Sequence, residues 1–389
     1  MKRRRWSVLF FLWALWCALG TAIPCACGLE TEADGSGPEV QAKAALLMER
    51  ETGTVLYALC ETEELEPASV TKVMTMLLTA EAIDEGRISL EDTVTVSAYA
   101  ASMGGSQVYL EEGEQMTVDD LLKAVAVASG NDAAVALAEH ISGSEGAFVD
   151  AMNRRAGGLG MTHTHFANCN GLPADNHYSC AYDIALMSRA LLAHDLIRNY
   201  TSIWMDSLRD GAFGLANTNK LLRTYPGATG LKTGSTDAAG YCISASAMQG
   251  EMELIAVVLG SDTSANRFDT AANLLNYGFA GWTLADAAPQ EPIPAVPVKL
   301  GKADTVAVYP DGSLRILVKK GQETAVTTGY ELEESVTAPV AAGEPLGRLT
   351  VYVDGEAVAQ LPLLACDAVE RKSFGDIFGD LWRRMAMQS

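Results

Sequence analysis

Ser69 and Lys72 are the two residues of this chain whose types and spacing best suit nucleophilic chemistry. Pro67 favours a turn, Ser69 and Thr71 are suited to N-capping, and apolar residues recur at helical spacing from Val70 to Asp84. Residues three apart share a helix face, so the amine can reach the hydroxyl. A serine hydroxyl needs a base, and a lysine serves as one where burial lowers its pKa. The apolar helix predicts that burial for Lys72.

A polar triplet, Ser129-Gly130-Asn131, separates two predicted apolar helices. The first runs from Thr117 to Ala128 with a capping-box-like start, and Asp132 is expected to cap the second, which continues through Ile141. A helix corner with local caps would explain the triplet, and the alternative is that both polar side chains face a cleft. Because Ser-x-x-Lys occurs by chance in many helices, other segments must supply the remaining groups of a site.

A strand of small residues, Gly230–Thr236, carries a second lysine, Lys232. A lysine within a strand is not by itself a site, so its meaning depends on the elements around it. The apolar patterns predict three further elements: an N-terminal hairpin over 44–59, an antiparallel hairpin over 239–260 and a helix over 267–279. These elements would have to position the candidate residues.

The chain is strongly acidic. Its 389 residues are 49% apolar and carry a formal net charge of −21, which supports a sizeable core and more than one domain. A nucleic-acid partner bound through a basic surface is therefore not expected. Small molecules or neutral polymers are better candidates.

Residues 1–28 have the pattern of a secretory signal peptide. The basic residues Lys2–Arg5 precede an uncharged run from Trp6 to Ile23, which ends among small residues. The run is also long enough for an uncleaved anchor. Cleavage would change the formal charge from −21 to −25, because the segment has four basic residues and no acidic one. We therefore expect an exported protein.

Five cysteines lie beyond the signal region: Cys60, Cys169, Cys180, Cys242 and Cys366. An odd, scattered set is a poor disulfide framework, and Cys169 with Cys180 is the close pair that merits consideration as a bridge. His163 and His165 alternate with other residues in a pattern that favours a strand over a metal site. We expect no metal and no other cofactor.

The composition changes at a Pro-rich segment, 286–297, which predicts a stiff linker. Alternation with period two over 298–368 then predicts a small all-β domain. Residues 371–389 have apolar side chains at spacings of three and four and two more basic than acidic residues. Such a terminal helix suits an anionic membrane surface, and docking on its own domain is the alternative.

Three short motifs occur along the chain in a fixed order: Ser69-Val70-Thr71-Lys72, Ser129-Gly130-Asn131 and Lys232-Thr233-Gly234. This is the order of the motifs shared by serine β-lactamases and penicillin-binding proteins. More narrowly, segments 67–75, 166–172 and 232–236 and the Ser-Gly-Asn form of the second motif resemble the D-alanyl-D-alanine carboxypeptidases, the low-molecular-mass penicillin-binding proteins. The resemblance covers nearly the whole mature chain, since that family also has a β-rich second domain and often an amphipathic C-terminal anchor.

The resemblance implies a mixed α/β (α+β) fold, with an antiparallel sheet flanked by helices and an active site between the sheet edge and a helical subdomain. Together with the sequence patterns described above, it gives a division of the chain into five parts: signal peptide 1–28, transpeptidase-like catalytic domain 38–285, linker 286–297, β-rich domain 298–368 and membrane-anchor helix 371–389. The location that follows is the outer face of the cytoplasmic membrane or the cell wall compartment.

The resemblance further implies a mechanism. Ser69 would attack the carbonyl between the two terminal D-alanines of the peptidoglycan stem peptide, with Lys72 as general base. Ser129, bridging Lys72 and Lys232, would pass a proton to the departing D-alanine. Asn131 would orient the substrate amide, and water would then hydrolyse the acyl-enzyme.

The second lysine motif would bind the end of the substrate. Lys232 and Thr233 would hold the terminal carboxylate, and Gly234 belongs to the same substrate-binding strand. Backbone amides of Ser69 and Ser235 would form the oxyanion hole, in which one donor is worth about a hundredfold or more in rate.

Two positions of the chain differ from the family pattern, and the candidate site residues also suit other functions. Cys169 and Cys180 stand where Pro and Thr are expected, which affects loop geometry but not the chemistry. The chain lacks the Glu-x-x-Leu-Asn segment of class A β-lactamases, so β-lactams are expected to stay as stable acyl-enzymes on Ser69. A β-lactamase, an endopeptidase or transpeptidase, and a non-turning β-lactam sensor or scaffold are the alternatives.

Overall fold

A five-stranded antiparallel sheet, in the order β2-β1-β9-β8-β7, is the centre of the larger part of the molecule. The computed structural model describes residues 37–386, so the predicted signal peptide lies outside the described residues. The strands of this sheet are β1 (Ala44–Glu49), β2 (Val55–Leu59), β7 (Ala228–Thr236), β8 (Gly240–Gln249) and β9 (Met252–Ser261). Both hairpins expected from the apolar patterns are confirmed.

Helices cover both faces of the sheet, and β1 shows why. Successive side chains of a strand point to opposite faces, and all six residues of β1 are buried. Leu46 and Met48 join one hydrophobic cluster, whereas Ala45 and Leu47 join the other, which includes residues of α9 (Ser264–Gly281). An apolar strand of this kind requires packing on each side. The fold is therefore the mixed α/β arrangement that the sequence resemblance implied.

The helices on the opposite face from α9 form the larger cluster. They are α1 (Lys72–Asp84), α2 (Ala98–Ala101), α3 (Val118–Lys123), α4 (Asn131–Ser142), α5 (Glu145–Leu159), α6 (Ala181–Leu191) and α7 (Arg198–Thr201). The short helix α8 (Leu221–Thr224) belongs to the other face, because its Leu221 packs in the cluster that includes α9. Two small hairpins complete this part: β3 (Thr93–Thr95) with β4 (Gln115–Thr117), and β5 (Met205–Leu208) with β6 (Phe213–Ala216). Ten of the 13 residues of α1 are buried, so this helix lies inside the cluster.

Two of the predicted helix caps are wrong. A 3₁₀ turn, Ala68–Thr71, leads directly into α1, and within the described chain neither Ser69 nor Thr71 makes a capping hydrogen bond. Their hydroxyls bond instead to Lys72 and to His177. A tertiary partner has replaced the cap at Thr71, and the neighbouring Lys72 has replaced it at Ser69.

The corner between α3 and α4 also differs from its prediction. Thr117 caps α3 as expected, but α3 gives way to a π-helical turn, Ala124–Ala128, instead of continuing as one α-helix. Asp132 lies in the first turn of α4 and does not cap it. Its carboxylate accepts hydrogen bonds from the backbone amides of Val108 and Leu110, which belong to a separate loop.

The predicted strand at His163–His165 is a turn with a single bridge between His165 and Tyr178. Each histidine ring has a separate partner, the Glu64 carboxylate for His163 and a backbone carbonyl for His165. Within residues 37–386, no group of three or more His, Cys, Asp or Glu residues is placed to hold a metal ion. Cys169 and Cys180 are both buried thiols, so the bridge considered between them is not formed.

The C-terminal part is built from small sheets. Its strands are β10 (Trp282–Asp286), β11 (Val296–Lys299), β12 (Thr305–Val306), β13 (Val308–Pro310), β14 (Arg315–Lys319), β15 (Val326–Leu332), β16 (Val336–Thr337), β17 (Pro345–Val353) and β18 (Glu356–Ala365). The largest sheet has the order β13-β18-β17-β15. β10 follows α9 and pairs with β14, so hydrogen bonds join segments on both sides of the predicted linker, 286–297.

A final helix, α10 (Phe374–Ala386), follows the β strands. Phe374 is 84% exposed and Trp382 is 64% exposed, and Ile377 and Phe378 are also exposed. In the part of the chain that the structure describes, no helix combines the length and the apolar character needed to cross a membrane.

Candidate active site

The turn that carries Ser69 is held between two other segments. Ala68 has a left-handed backbone, with φ of +47°, and Ser69 is partly exposed. A Cβ atom on Gly171 would lie 1.9 Å from the Ala68 carbonyl oxygen, and one on Gly234 would lie 2.7 Å from the Ser69 amide nitrogen. Only glycine allows such close approach of backbones. The loop that contains Gly171 and strand β7 therefore both pack closely against the turn.

Lys72 is fully buried beside this turn. Its Nζ lies 3.0 Å from Ser69 Oγ, 2.6 Å from Asn131 Oδ1 and 2.5 Å from the Asn170 carbonyl oxygen. Burial lowers the pKa of Lys72 to about 7, against a smaller opposing effect of Cys169 and Asp132.

The neutral form of Lys72, which a pKa of about 7 makes available, can satisfy all three contacts. A neutral amine has two N–H donors and one lone pair, whereas an ammonium has three donors and no acceptor. Asn131 Oδ1 and the Asn170 carbonyl can only accept, so they take the two N–H groups. The lone pair then faces Ser69 Oγ and can accept its proton. This geometry fits a general base at the nucleophile.

Asn131 links Lys72 to a loop from the other side. Its Nδ2 donates to the Gly104 carbonyl at 2.7 Å, and its backbone amide donates to the Ser106 carbonyl at 2.7 Å. The neighbouring Asp132 carboxylate accepts hydrogen bonds from the backbone amides of Val108 and Leu110. The loop over 104–110 is thereby fixed to the start of α4.

Ser129 ends the π-helical turn with a left-handed backbone, at φ of +61°. The residue is buried, and among residues 37–386 its hydroxyl has no hydrogen-bond partner. The bridge from Ser129 to Lys72 and Lys232 that the resemblance implied is therefore absent from this structure. A buried hydroxyl without a partner costs roughly 1–3 kcal/mol, so a bound molecule that satisfies it would gain by doing so.

Strand β7 brings a second buried amine to the site. Lys232 donates from Nζ to the Thr233 carbonyl at 3.0 Å. Burial holds the pKa of Lys232 well below its ordinary value, and the nearby charges of Lys72 and Arg267 lower it further. Ser235, two residues beyond Thr233, is exposed.

Arg267 supports β7 from α9, a contact that the sequence analysis missed. Its guanidinium donates to the carbonyls of Gly234, at 3.2 Å, and Cys242, at 3.3 Å. It also lies 4.4 Å from the centre of the Phe268 ring. No sequence pattern marks Arg267, because the partners of its N–H groups are backbone carbonyls of other elements.

His177 is a second residue that the sequence analysis missed. The Ala167 amide donates to His177 Nδ1 at 3.0 Å, so Nε2 carries the proton and donates to Thr71 Oγ1 at 2.8 Å. Burial lowers the pKa of His177 to about 4, which keeps the ring neutral. His177 thus ties the nucleophile turn to the loop that supplies the Asn170 carbonyl.

The structure therefore brings Ser69, Lys72 and Asn131 into hydrogen-bonding contact and places Gly234 of the Lys232–Ser235 strand, at the edge of the main sheet, against the Ser69 turn. Ser129 lies two residues before Asn131. A serine beside a buried lysine of lowered pKa, with a second lysine on an adjacent strand and this α/β architecture, defines the class of serine enzymes to which β-lactamases and penicillin-binding proteins belong.

Comparison with known proteins narrows the class. A family model described as D-alanyl-D-alanine carboxypeptidase (Peptidase S11) matches residues 31–263, and a model of the penicillin-binding protein 5 C-terminal domain matches residues 289–371. The chain belongs to the D-alanyl-D-alanine carboxypeptidase family and is a serine-type peptidase.

Relatives support this assignment over most of the chain. The D-alanyl-D-alanine carboxypeptidase DacF of Bacillus subtilis is 43% identical over 339 residues, which cover 86% of this chain and 87% of the relative. The crystal structure of penicillin-binding protein 5 from Haemophilus influenzae has a TM-score of 0.75 and 32% identity, covering 86% of this chain and 99% of that one. The Streptomyces K15 DD-transpeptidase structure has a TM-score of 0.59 and 29% identity, covering 63% and 99%.

Replacing Gly171 by alanine is expected to abolish covalent labelling of the protein by penicillin. Its Cβ would meet the Ala68 carbonyl oxygen at 1.9 Å, so the turn that carries Ser69 would have to move. Gly113→Ala is the matched control, because Gly113 has a similar φ of +79° and no described heavy atom within 4 Å of its added Cβ.

The control should lose about 1–2 kcal/mol of stability from the left-handed backbone and keep its labelling. Fluorescent penicillin labelling and thermal unfolding of both variants provide the measurement. Equal labelling of the two variants would contradict the proposed contact between Gly171 and the turn.

Proposed function

We propose that this protein removes the terminal D-alanine from peptidoglycan stem pentapeptides through an acyl-enzyme on Ser69. The observation that carries the proposal is the set of contacts at Lys72: two groups that can only accept lie at its Nζ beside Ser69 Oγ, so in the neutral amine the lone pair is left for Ser69. A peptidase needs a base of this kind for a nucleophile with a high intrinsic pKa. Membership of the D-alanyl-D-alanine carboxypeptidase family supports the substrate class.

In the proposed acylation, Lys72 Nζ takes the proton of Ser69 Oγ as the oxygen attacks the carbonyl between the two D-alanines. The backbone amides of Ser69 and Ser235 donate to the oxyanion that forms. As the carbon–nitrogen bond breaks, the hydroxyl of Ser129 gives its proton to the departing amine of D-alanine and takes one from the Lys72 ammonium, so that both groups return to their starting states. The missing hydrogen-bond partner of Ser129 supports this role, because the leaving group would supply that partner.

The proposed substrate contacts follow from the hydrogen-bond donors that the site residues have available. Lys232 and Thr233 bind the terminal carboxylate of the peptide substrate. A cation and a hydroxyl at this position select for a substrate that ends in a free carboxylate. Asn131 uses one N–H of Nδ2 for Gly104, so the other N–H is available for the carbonyl of a substrate amide. Gly234 allows the strand to lie against the Ser69 turn. Water finally hydrolyses the ester on Ser69.

The test is D-alanine release from diacetyl-Lys-D-Ala-D-Ala, with penicillin hydrolysis and cross-linked muropeptides measured beside it. Release of D-alanine, with β-lactams trapped as stable adducts, supports the carboxypeptidase. Fast penicillin hydrolysis would indicate a β-lactamase. Cleavage of cross-linked muropeptides without D-alanine release from the tripeptide would indicate an endopeptidase. A penicillin adduct without turnover of any peptide would indicate a sensor or scaffold.

A transpeptidase is the second candidate, because the chain is similar to a structure named as a DD-transpeptidase. An added amine acceptor separates the two functions. Transfer of the acyl group to the amine in preference to water would favour the transpeptidase.

We also propose the domain division stated above, with the catalytic domain at 38–285, the linker at 286–297, the β-rich domain at 298–368 and export by residues 1–28. Residues 371–389 would place the enzyme on the outer face of the cytoplasmic membrane. The exposed aromatic side chains of Phe374, Phe378 and Trp382 on α10 support this attachment. The β-rich domain would then act as a spacer between the catalytic domain and the membrane.

Deletion of residues 371–389 from a chain that starts at residue 29 is expected to abolish binding to anionic phospholipid vesicles and to leave D-alanine release unchanged. The apolar face of α10 would otherwise insert at the lipid interface, and the basic excess would favour anionic lipids. Co-sedimentation with anionic and neutral vesicles measures the effect. Phe374→Glu in the full segment is the companion variant, and undiminished vesicle binding after the deletion would rule out the anchor.

A further inference from the structure

Thr218 contacts the proposed carboxylate-binding strand, although no motif assigns it a function. Its Oγ1 lies 2.5 Å from Oγ1 of Thr233. Thr233 is buried, whereas Thr218 is exposed. The hydroxyl pair therefore joins a buried residue of β7 to the protein surface, where a substrate can approach.

The residues on each side of Thr218 hold its backbone in place. Asn217 donates from Nδ2 to the Ile203 carbonyl at 2.8 Å, and its Oδ1 accepts from the Asn219 amide at 2.9 Å. Asn219 donates from Nδ2 to the Gly230 carbonyl at 2.9 Å, within β7 itself. Both asparagines are buried. A surface threonine with such anchored neighbours is presented to Thr233 in a defined position.

Counting protons shows what the contact can do. Each hydroxyl has one proton to donate and two lone pairs that accept. If Thr233 donated to Thr218, it would have no proton left for a carboxylate. If Thr218 donates to Thr233, the Thr233 proton is available to an anion beside the Lys232 amine. The second arrangement is the one that serves recognition of a carboxylate.

We propose that Thr218 is a positioning residue for the terminal carboxylate of the substrate, donating its proton to Thr233 Oγ1 so that Thr233 donates to the carboxylate. This inference rests on the proposed carboxypeptidase function and specifies how its substrate end is bound. The contact orders one hydroxyl before the substrate arrives, which reduces the entropy that binding would otherwise cost.

The experiment compares two acyl donors that form the same acyl-enzyme. Diacetyl-Lys-D-Ala-D-Ala has the terminal carboxylate, and the ethyl thioester of diacetyl-Lys-D-Ala lacks it. Thr218→Val is expected to lower kcat/KM for the tripeptide roughly tenfold, mainly through a higher KM, because a hydrogen bond to a charged group is weakened. Turnover of the thioester should stay within about twofold, which also shows that the variant folds.

Two further variants complete the design. Thr218→Ser keeps the hydroxyl and is expected to restore most of the activity on the tripeptide. Thr95→Val is the matched control, because Thr95 is an exposed threonine on β3, outside the site. This variant should turn over both substrates as the unsubstituted chain does.

Equal losses of Thr218→Val on the tripeptide and the thioester would overturn the inference, since a general structural effect would explain them. An unchanged KM for the tripeptide would also overturn it, as would a serine variant no better than valine. Failure of the proposed function looks different. The unsubstituted chain would then release no D-alanine from the tripeptide, whatever the residue at position 218.

Discussion

Replacing Ser69 by alanine is expected to lower D-alanine release from diacetyl-Lys-D-Ala-D-Ala by at least about 10⁴-fold and to abolish covalent labelling by penicillin. Ser69 Oγ is the hydroxyl at 3.0 Å from the buried Lys72 amine, and it is partly exposed to solvent. Without it, no covalent intermediate forms. The remaining groups still bind substrate but have no nucleophile to assist.

The Ser69→Ala variant should fold normally, because alanine suits the 3₁₀ turn and no capping bond depends on the hydroxyl. Ser202→Ala is a matched control, since Ser202 is exposed and its hydroxyl donates to the Arg198 carbonyl away from the site. Thermal unfolding and steady-state kinetics of both variants separate folding from catalysis. Residual D-alanine release above a few per cent in Ser69→Ala would show that another group is the nucleophile.

Replacing Lys72 by glutamine is expected to lower the rate of acylation by about 10³-fold, the usual contribution of a general base. The glutamine amide retains N–H donors for Asn131 Oδ1 and the Asn170 carbonyl, which Lys72 now satisfies. It offers no basic lone pair to Ser69. The variant therefore tests the base and not the hydrogen bonds that hold the loop.

The pH dependence of acylation gives this prediction a second measurement. Burial lowers the pKa of Lys72 to about 7, and the neutral amine is the active form. The rate should rise about tenfold per pH unit below 7, because the fraction of neutral amine rises, and should level off above 7. Stopped-flow acylation by a β-lactam from pH 5 to pH 9 measures this profile.

In Lys72→Gln the same profile should lose its rise below pH 7, because glutamine does not titrate. A rise that persists in the variant would assign the titration to a different group. His177 is the neighbouring histidine, and its pKa of about 4 places its own titration below this range.

Local patterns in the sequence determined much of the framework. The apolar runs of β1 and β2 and the pattern of β7 to β9 predicted the strands of the main sheet, because each strand is specified by its own side chains. The contact between Ser69 and Lys72 followed from their spacing of three on a helical turn. The order of the three motifs indicated the class of β-lactamases and penicillin-binding proteins, and segments 67–75, 166–172 and 232–236 with the Ser-Gly-Asn motif indicated the family.

Only the tertiary structure decided how remote segments complete the site. The carbonyl of Asn170 and the close approach of Gly171 involve backbone atoms, which leave no type of side chain to recognise in a sequence. His177 and Thr218 act through partners far along the chain, and local patterns do not report such partners.

The wrong predictions have the same physical origin. Ser69, Thr71 and Asp132 have the side chains of helix caps, but Thr71 and Asp132 found tertiary partners in the folded chain and Ser69 bonds to Lys72. A cap is worth about 1 kcal/mol, so a buried hydrogen bond to another segment outweighs it. Ser129 shows the opposite case, because its motif implied a bridge and packing left its hydroxyl without a partner among the described residues. Sequence identified the reacting groups, and packing between distant segments decided which atoms they contact.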